Sequence, residues 1–385
     1  MTEAADLAPI REAVRALCAN FPGEYWRRLD RDRIYPEEFV SALTRAGFLA
    51  ALIPEEYGGS GLAMTAAAAI MEEIQASGCN GAPCHAQMYT MGTVLRHGSA
   101  EQKQRYLPGI ARGELRLQAF GVTEPTSGTD TLALRTTAIR DGDHYVVNGQ
   151  KIWTSRAEHS DLMLLLARTT PREQAKSRTA GLSVFILDMR QAKNNGLTIR
   201  PIRTMMNHAT TEVFLENVRV PAGNLIGAAG EGFRYILSGM NAERILIAAE
   251  CVGDAKWFIH HATSYARERV VFGRPIGQNQ GIQFPVARSY IDMRAAELMV
   301  REAAALYEAG KDCGAEANMA KHLAAEASWA AADMCVQTHG GFGFAEEFDI
   351  ERKFRETRLY TVAPISTNLI LSYIAEHVLG LPRSY

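Results

Sequence analysis

Hydrophobic positions along this 385-residue chain change their period twice. Residues 7 to 20 place Leu7, Ile10, Val14, Leu17 and Cys18 on one stripe at helical spacing. Pro36 opens a second helical run with Phe39, Val40, Leu43 and Phe48 as apolar positions and a stop near Gly47. After the breaker-rich loop Pro54 to Gly61, an alanine-rich helix is predicted over 66–76. Thr65 is its expected cap, and its four consecutive alanines imply a close approach of neighbouring helices. Another helix is predicted over about 84–96, closed by His97 and Gly98. Ser99 then caps a short helix from Glu101 to Leu107, with Gln102 completing a capping box. His85 and His97 have no partners at ligand spacing, so surface or capping roles are expected of both.

From Leu115 to about Ile226 the apolar positions alternate with period two. Strands are expected near 137–139, 144–147, 162–167, 182–187, 197–202 and 211–214, with turns at Asp141-Gly142-Asp143, Asn148-Gly149 and Asn194-Asn195-Gly196. That is an antiparallel domain, sandwich or barrel, with Pro171 to Arg178 as a solvated hairpin loop. Helical spacing returns at Gly232 and continues to about Arg269. Further helices follow from Gln283 to Ala309 and from Ala315 to Thr338, and His339 to Phe344 breaks the last of them. One or two helices complete the chain to Leu379, and such lengths suit a four-helix bundle. Trp257, Tyr265, Tyr290 and Trp329 are expected to pack this bundle and its subunit contacts. Gly239 and Gly253 lower helix propensity and are tolerable where another element comes close. The expected fold is α+β: an N-terminal helical domain over 1–118, a middle antiparallel β-domain over 119–229, and a C-terminal four-helix bundle over 230–385.

Composition removes several function classes. A net charge of −2 gives no electrostatic footprint for nucleic acid or an anionic membrane. The six cysteines never form a C-x-x-C pair, and they read as buried thiols and not as a disulfide framework or a metal site. No apolar run is long enough to cross a bilayer, and the first residues lack the basic start of a signal peptide, so a cytoplasmic protein is expected.

Candidate chemistry concentrates in two stretches of the middle third. Phe120-Gly-Val-Thr-Glu-Pro-Thr-Ser-Gly-Thr-Asp130 offers hydroxyls, an aromatic and a glycine turn. Gly149-Gln-Lys-Ile-Trp-Thr-Ser155 sets an indole beside two hydroxyls at a strand end. Short hydroxyls and exposed backbone N–H groups suit a flat, hydrogen-bonding ligand and its phosphates. The two stretches read as two walls of one cofactor site, joined by a strand from Asp143 to Val147. The loop Pro54 to Gly61 is not a dinucleotide fingerprint, because its glycine spacing is wrong and no strand precedes it.

These stretches, with Asn241-Ala-Glu-Arg244, Arg267-Glu-Arg-Val-Val-Phe-Gly-Arg-Pro275 and Gln337-Thr-His-Gly-Gly-Phe-Gly343, occur in order along nearly the whole chain. In this the chain resembles the acyl-CoA dehydrogenase family of flavoproteins. The resemblance implies an FAD cofactor, an acyl-CoA substrate, an electron-transfer flavoprotein as acceptor, and a homotetramer built as a dimer of dimers. It places Phe120, Val122 and Thr123 at the flavin, with Thr123 on its pyrimidine edge, and Thr129 at the pyrophosphate. Trp153 lies against the ring and Ser155 at N5 and O4. Arg269, Phe272, Gln280, Gln337 and Gly341 are implied to hold the adenosine half of a neighbouring subunit's FAD, where an Arg fork suits phosphate.

Family chemistry removes an α-proton with a carboxylate while a β-hydride passes to the flavin, which overcomes the weak acidity of the thioester. Most members carry that carboxylate in a Tyr-Glu-Gly-Thr segment. Here Arg355-Glu-Thr-Arg-Leu-Tyr-Thr-Val-Ala-Pro-Ile-Ser366 puts Pro364 at the Glu position, and Glu351 and Glu356 match neither family location. The second location in the family lies on the long helix, as in the isovaleryl-CoA and long-chain enzymes. It is occupied by Glu243, with Asn241 and Arg244 as expected substrate contacts. Proline also lacks the backbone N–H that relatives give to the thioester oxygen. That leaves Ala363, Ile365 or some other group as donor. A short, medium or branched acyl group is the expected substrate, and Glu356 is the fallback base. Elimination or monooxygenation on a CoA thioester, and a non-catalytic interaction scaffold, stay open as alternatives.

Overall fold

The computed structural model describes residues 7–383. Its helices are α1 (Ala8–Cys18), α2 (Gly23–Asp32), α3 (Glu37–Arg45), α4 (Met64–Ala76), α5 (Ala82–His97), α6 (Ala100–Ala111), α7 (Met189–Ala192), α8 (Gly232–Glu268), α9 (Gln280–Glu308), α10 (Gly314–His339), α11 (Ile350–Thr357) and α12 (Thr367–Tyr373). Its strands are β1 (Ala119–Gly121), β2 (Thr137–Asp141), β3 (His144–Ser155), β4 (Leu162–Arg168), β5 (Leu182–Asp188), β6 (Leu197–Pro201), β7 (Thr210–Pro221), β8 (Leu225–Ile226), β9 (Val270–Val271) and β10 (Arg274–Pro275). The chain forms two compact units, each assembled from separate stretches. One comprises residues 35–62 and 82–242, the other residues 1–34, 63–81 and 243–385.

The first unit is organised by a sheet in the order β6-β7-β3-β2-β4-β5-β8, with β1 pairing off this path onto β4. Most pairs are antiparallel, as the alternation predicts, but β1 runs parallel to β4, with Phe120 opposite Leu164. Alternation along β4 decides the packing. Leu162, Leu164 and Leu166 join a core with Leu107 and Ile110 of α6 and Met91 and Val94 of α5. Met163, Leu165 and Ala167 face the other way, into a cluster with Val147, Phe185 and Val213. The predicted capping box at α6 is present: Ser99 Oγ accepts from Gln102 N–H at 3.1 Å, and Gln102 Oε1 accepts from Ser99 N–H at 3.0 Å. Asn148-Gly149 is not a turn. It is a register irregularity inside the long β3, where a Cβ on Gly149 would lie 2.4 Å from Thr136 Oγ1.

The second unit is helical. Gly253 lets α4 come close to α8, since a Cβ there would lie 2.2 Å from Glu72 O. Thr65 does not cap α4. The helix begins two residues earlier, at Met64 after Ala63, and the Thr65 hydroxyl donates to Glu308 at 2.8 Å. Trp257 is buried as expected, whereas Tyr290 is exposed on α9 with Phe284, Ile291 and Leu298. All six cysteines are buried thiols outside any disulfide. No helix among the described residues is long and apolar enough to cross a membrane.

Candidate active site

The sheet unit brings Phe120, Val122, Thr123, Trp153 and Ser155 together through one irregularity of β3. Its ladder with β7 pairs Lys151 with Val213 and resumes at Thr154 with Thr211, so Ile152 and Trp153 oppose one residue. This is a β-bulge, and it turns Trp153 into the left-handed region at φ +60 with its indole 57% exposed. A bulky aromatic in that conformation, and open to solvent, is backbone strain of the kind that collects at ligand sites. The groups that leave the ladder pair instead with the segment after β1. Ile152 N–H donates to Thr123 O at 2.9 Å, and the Lys151 ammonium donates to Val122 O at 3.1 Å and to Glu124 Oε1 at 2.8 Å.

Beyond Thr123 the chain makes a tight turn, with Glu124 and Ser127 exchanging backbone bonds of 3.1 and 3.0 Å. Ser127 Oγ donates to Asp130 O at 2.6 Å, and Thr129 stands exposed at the rim. The Glu124 carboxylate is buried, turned inward and neutralised by Lys151. Burial works to raise this carboxylate, but the Lys151 charge and the donors at Thr136 and Arg135 outweigh it and hold it below its usual range. The chemistry of this set suits FAD: an apolar ring face at Trp153 and short hydroxyls at Thr123, Thr129 and Ser155, with the Glu124 charge buried and neutralised.

Sequence reasoning missed Lys151 and Glu124 as site residues. It also missed Arg156, which follows Ser155 at φ +61 and is buried. Arg156 Nη1 lies 3.4 Å from His208 Nε2, and burial with Arg156 and His85 nearby pushes His208 well below the usual imidazole value. His85 is not a surface residue: it is 5% exposed and stacks on Tyr89, which meets Phe120 edge-on at 5.6 Å. His97 is half-buried at the end of α5, 2.9 Å from Ser238 Oγ. A lysine at an inward register position of β3 and an arginine where a left-handed residue was needed were the available signals.

In the helical unit, Glu243 and Arg244 lie on α8, 8% and 9% exposed, and Asn241 precedes them on the same helix. Burial pushes the Arg244 guanidinium down, partly offset by Glu243. The two other carboxylates weighed as bases are held in ion pairs. Glu356 accepts from Arg352 Nη1 at 2.9 Å, and Glu351 from Arg355 Nε at 2.8 Å. Near Pro364, the Ala363 N–H is already donated to Leu359 O at 2.9 Å, while Ile365 O accepts from the buried Lys321 ammonium at 3.0 Å. Arg269, Phe272, Gln280, Gln337 and Gly341 are all exposed. The structure joins the two stretches that carry them: the Arg269 guanidinium lies 5.6 Å from the centroid of the Phe342 ring. Phe272 projects fully into solvent at φ +53. No group of three or more potential metal ligands occurs among the described residues.

Family models match end to end: the acyl-CoA dehydrogenase N-terminal domain over residues 5–114, the middle domain over 119–218, and the C-terminal domain over 230–379. The chain is 36% identical to the acyl-CoA dehydrogenase FadE12 of Mycobacterium tuberculosis over 386 residues, covering 100% of this chain and 98% of that relative. It is 31% identical to the rat mitochondrial short/branched chain specific acyl-CoA dehydrogenase over 355 residues, covering 91% and 80%. Among solved structures, a glutaryl-coenzyme A dehydrogenase in complex with glutaryl-CoA superposes with a TM-score of 0.92 at 30% identity, covering 100% of this chain and 98% of that one. With three successive domain models matched and a full-length relative above 30% identity, the chain belongs to the acyl-CoA dehydrogenase family of FAD-dependent oxidoreductases.

Proposed function

We propose that this enzyme dehydrogenates a short, medium or branched acyl-CoA to the trans-2-enoyl-CoA, with Glu243 as the base that takes the α-proton. The observation that carries the assignment of the base is the fate of the competing carboxylates. Glu351 and Glu356 are committed to Arg355 and Arg352, and Pro364 stands where most relatives place a carboxylate. Glu243 is buried beside Arg244, whose charge favours the ionised form that a base requires. When bound, FAD supplies the hydride acceptor. Thr123 and Ser155 would hold its ring, with Trp153 lying against it.

Ile365 is the backbone donor we assign to the thioester oxygen. Pro364 has no N–H and that of Ala363 is used within its own turn, whereas Lys321 holds Ile365 by its carbonyl. The branched preference draws on the short/branched chain specificity of the rat relative, and the domain limits near 118 and 229 belong to the same reading. Arg269, Phe272, Gln280, Gln337 and Gly341 serve the adenosine half of a partner subunit's FAD in a homotetramer, and an electron-transfer flavoprotein accepts the electrons. The deciding measurement is anaerobic single-turnover flavin reduction by a 2-methyl or 3-methyl acyl-CoA. Glu243→Gln should slow it about 100-fold to 10,000-fold with FAD retained. Reduction within a factor of a few of wild type would place the base elsewhere.

A further inference from the structure

Three consecutive residues of the flavin segment are each tied to β3 by a different bond. Val122 is held through its carbonyl by Lys151 Nζ at 3.1 Å, and Thr123 through its carbonyl by Ile152 N–H at 2.9 Å. Glu124 is held through its carboxylate by Lys151 Nζ at 2.8 Å. The same carboxylate gathers the chain on its other side, accepting Thr136 N–H at 2.9 Å on Oε1 and Arg135 N–H at 2.6 Å on Oε2. Lys151 is fully buried and Glu124 is 5% exposed. A buried ion pair is a weak source of net stability, since well-packed apolar residues of similar volume commonly do as well. What such a pair supplies that apolar packing does not is fixed length and direction. Here both are spent on the peptide units flanking Thr123, at the β-bulge that also displays Trp153 and leads to Ser155.

We propose that the Lys151–Glu124 pair is a positioning device for the flavin, setting Thr123 at a fixed distance and orientation from the Trp153–Ser155 wall. This rests on the reading of Thr123 and Ser155 as flavin contacts. Lys151 and Glu124 act through Thr123 and touch no reacting atom. The pair reinforces the backbone bond from Ile152 N–H to Thr123 O that joins the two walls at the place where the ladder of β3 with β7 is interrupted.

The test separates positioning from stability. Lys151→Met leaves the Glu124 carboxylate buried without its counter-charge and should lower both the melting temperature and FAD retention. Adding Glu124→Gln removes that buried charge, and the double variant should recover most of the melting temperature. Its FAD dissociation constant should nevertheless remain raised about tenfold or more, and the visible absorption band of its residual bound flavin should be shifted. Glu124→Gln alone keeps an acceptor for Lys151 and serves if the double variant does not fold. It should weaken FAD binding by a smaller factor, with the same spectral shift. Wild-type FAD affinity and an unshifted band in the double variant, or in Glu124→Gln, would overturn the proposal. If these variants all behave as expected but Thr123→Val and Ser155→Ala leave the flavin spectrum and affinity unchanged, the underlying reading of the flavin contacts fails instead.

Discussion

Replacing Gly253 by alanine should destabilise the protein although it raises helix propensity. An ideal Cβ at this position lies 2.2 Å from Glu72 O, 2.7 Å from Gln75 Cβ and 3.1 Å from Ala76 N. A close C–H···O contact requires about 3.3 Å, so α8 and α4 must move apart locally by roughly 1 Å. The obstructing atoms are mostly backbone of a packed helix, not the end of a flexible side chain. The move also pulls on Gln75, which donates to Tyr360 Oη at 3.1 Å and accepts from Lys353 Nζ at 2.7 Å. Overpacking of this kind costs up to about 3 kcal/mol, against a propensity gain of about 1 kcal/mol. The net loss is therefore up to about 2 kcal/mol. Gly281, near the start of α9, is the control: nothing lies within 4 Å of an added Cβ. Alanine there should be neutral or stabilising by up to about 1 kcal/mol. Urea unfolding followed by far-UV circular dichroism compares the pair. A Gly253→Ala protein as stable as wild type would refute the argument from close helix approach.

Glu356→Gln should leave flavin reduction close to wild type while lowering stability by about 1–3 kcal/mol, because this carboxylate is the Arg352 partner and not the base; loss of reduction with an intact fold would contradict that. Arg269→Ala should weaken FAD retention and oligomer assembly together, as read by sedimentation and released flavin, and unchanged values of both would remove Arg269 from the site. The pH dependence of FAD binding follows from Lys151, whose ammonium is pushed down by burial to about 8 from an ordinary 10.5. Because the unfolded chain binds the proton more tightly, the stability contributed by this lysine rises between about pH 8 and 10.5 and is lost as pH falls back across that window. FAD binding should move the opposite way, weakening as pH rises through about 8 while the Glu124 counter-charge is lost. Lys151→Met should lack that alkaline limb, and an identical limb in the variant would assign it to another group.

The middle strands were legible in part from alternation, as along β7, whereas β4 and β5 are near-continuous apolar runs, buried on both faces and divided between two cores. Helix α2 was not read from the sequence. Its run Gly23-Glu-Tyr-Trp-Arg-Arg-Leu-Asp-Arg-Asp32 buries only Trp26 and Leu29, too thin a stripe to stand out from the charges. Asn148-Gly149 carries a turn signature, but the glycine is there to admit Thr136, and the strand runs on through it. The bulge at Ile152 and Trp153 depends on a strand sixty residues away in sequence, so local pattern could not show it. Glu243 was proposed through its neighbours in sequence; the pairing that commits Glu356 is local, since Arg352 sits one turn away on α11, but only the fold shows that both partners are buried.

The discontinuous make-up of the helical unit bears on how the chain is made. Arg27 bonds the Glu347 carbonyl at 3.4 Å across 320 residues, Arg352 reaches back 274 residues to Gly78 O, and Lys353 reaches back 278 to Gln75. During synthesis, α1, α2 and α4 leave the ribosome long before the helices that bury their apolar faces. At roughly 5–20 residues per second, the interval is tens of seconds or less. Through that time Val14, Trp26, Leu29 and Ile70, all buried in the finished fold, lack the later helices of their unit. The sheet unit, whose stretches end at residue 242, can collapse meanwhile. The early helices must wait, and a chain stopped between the two units would expose surface that invites aggregation or chaperone capture.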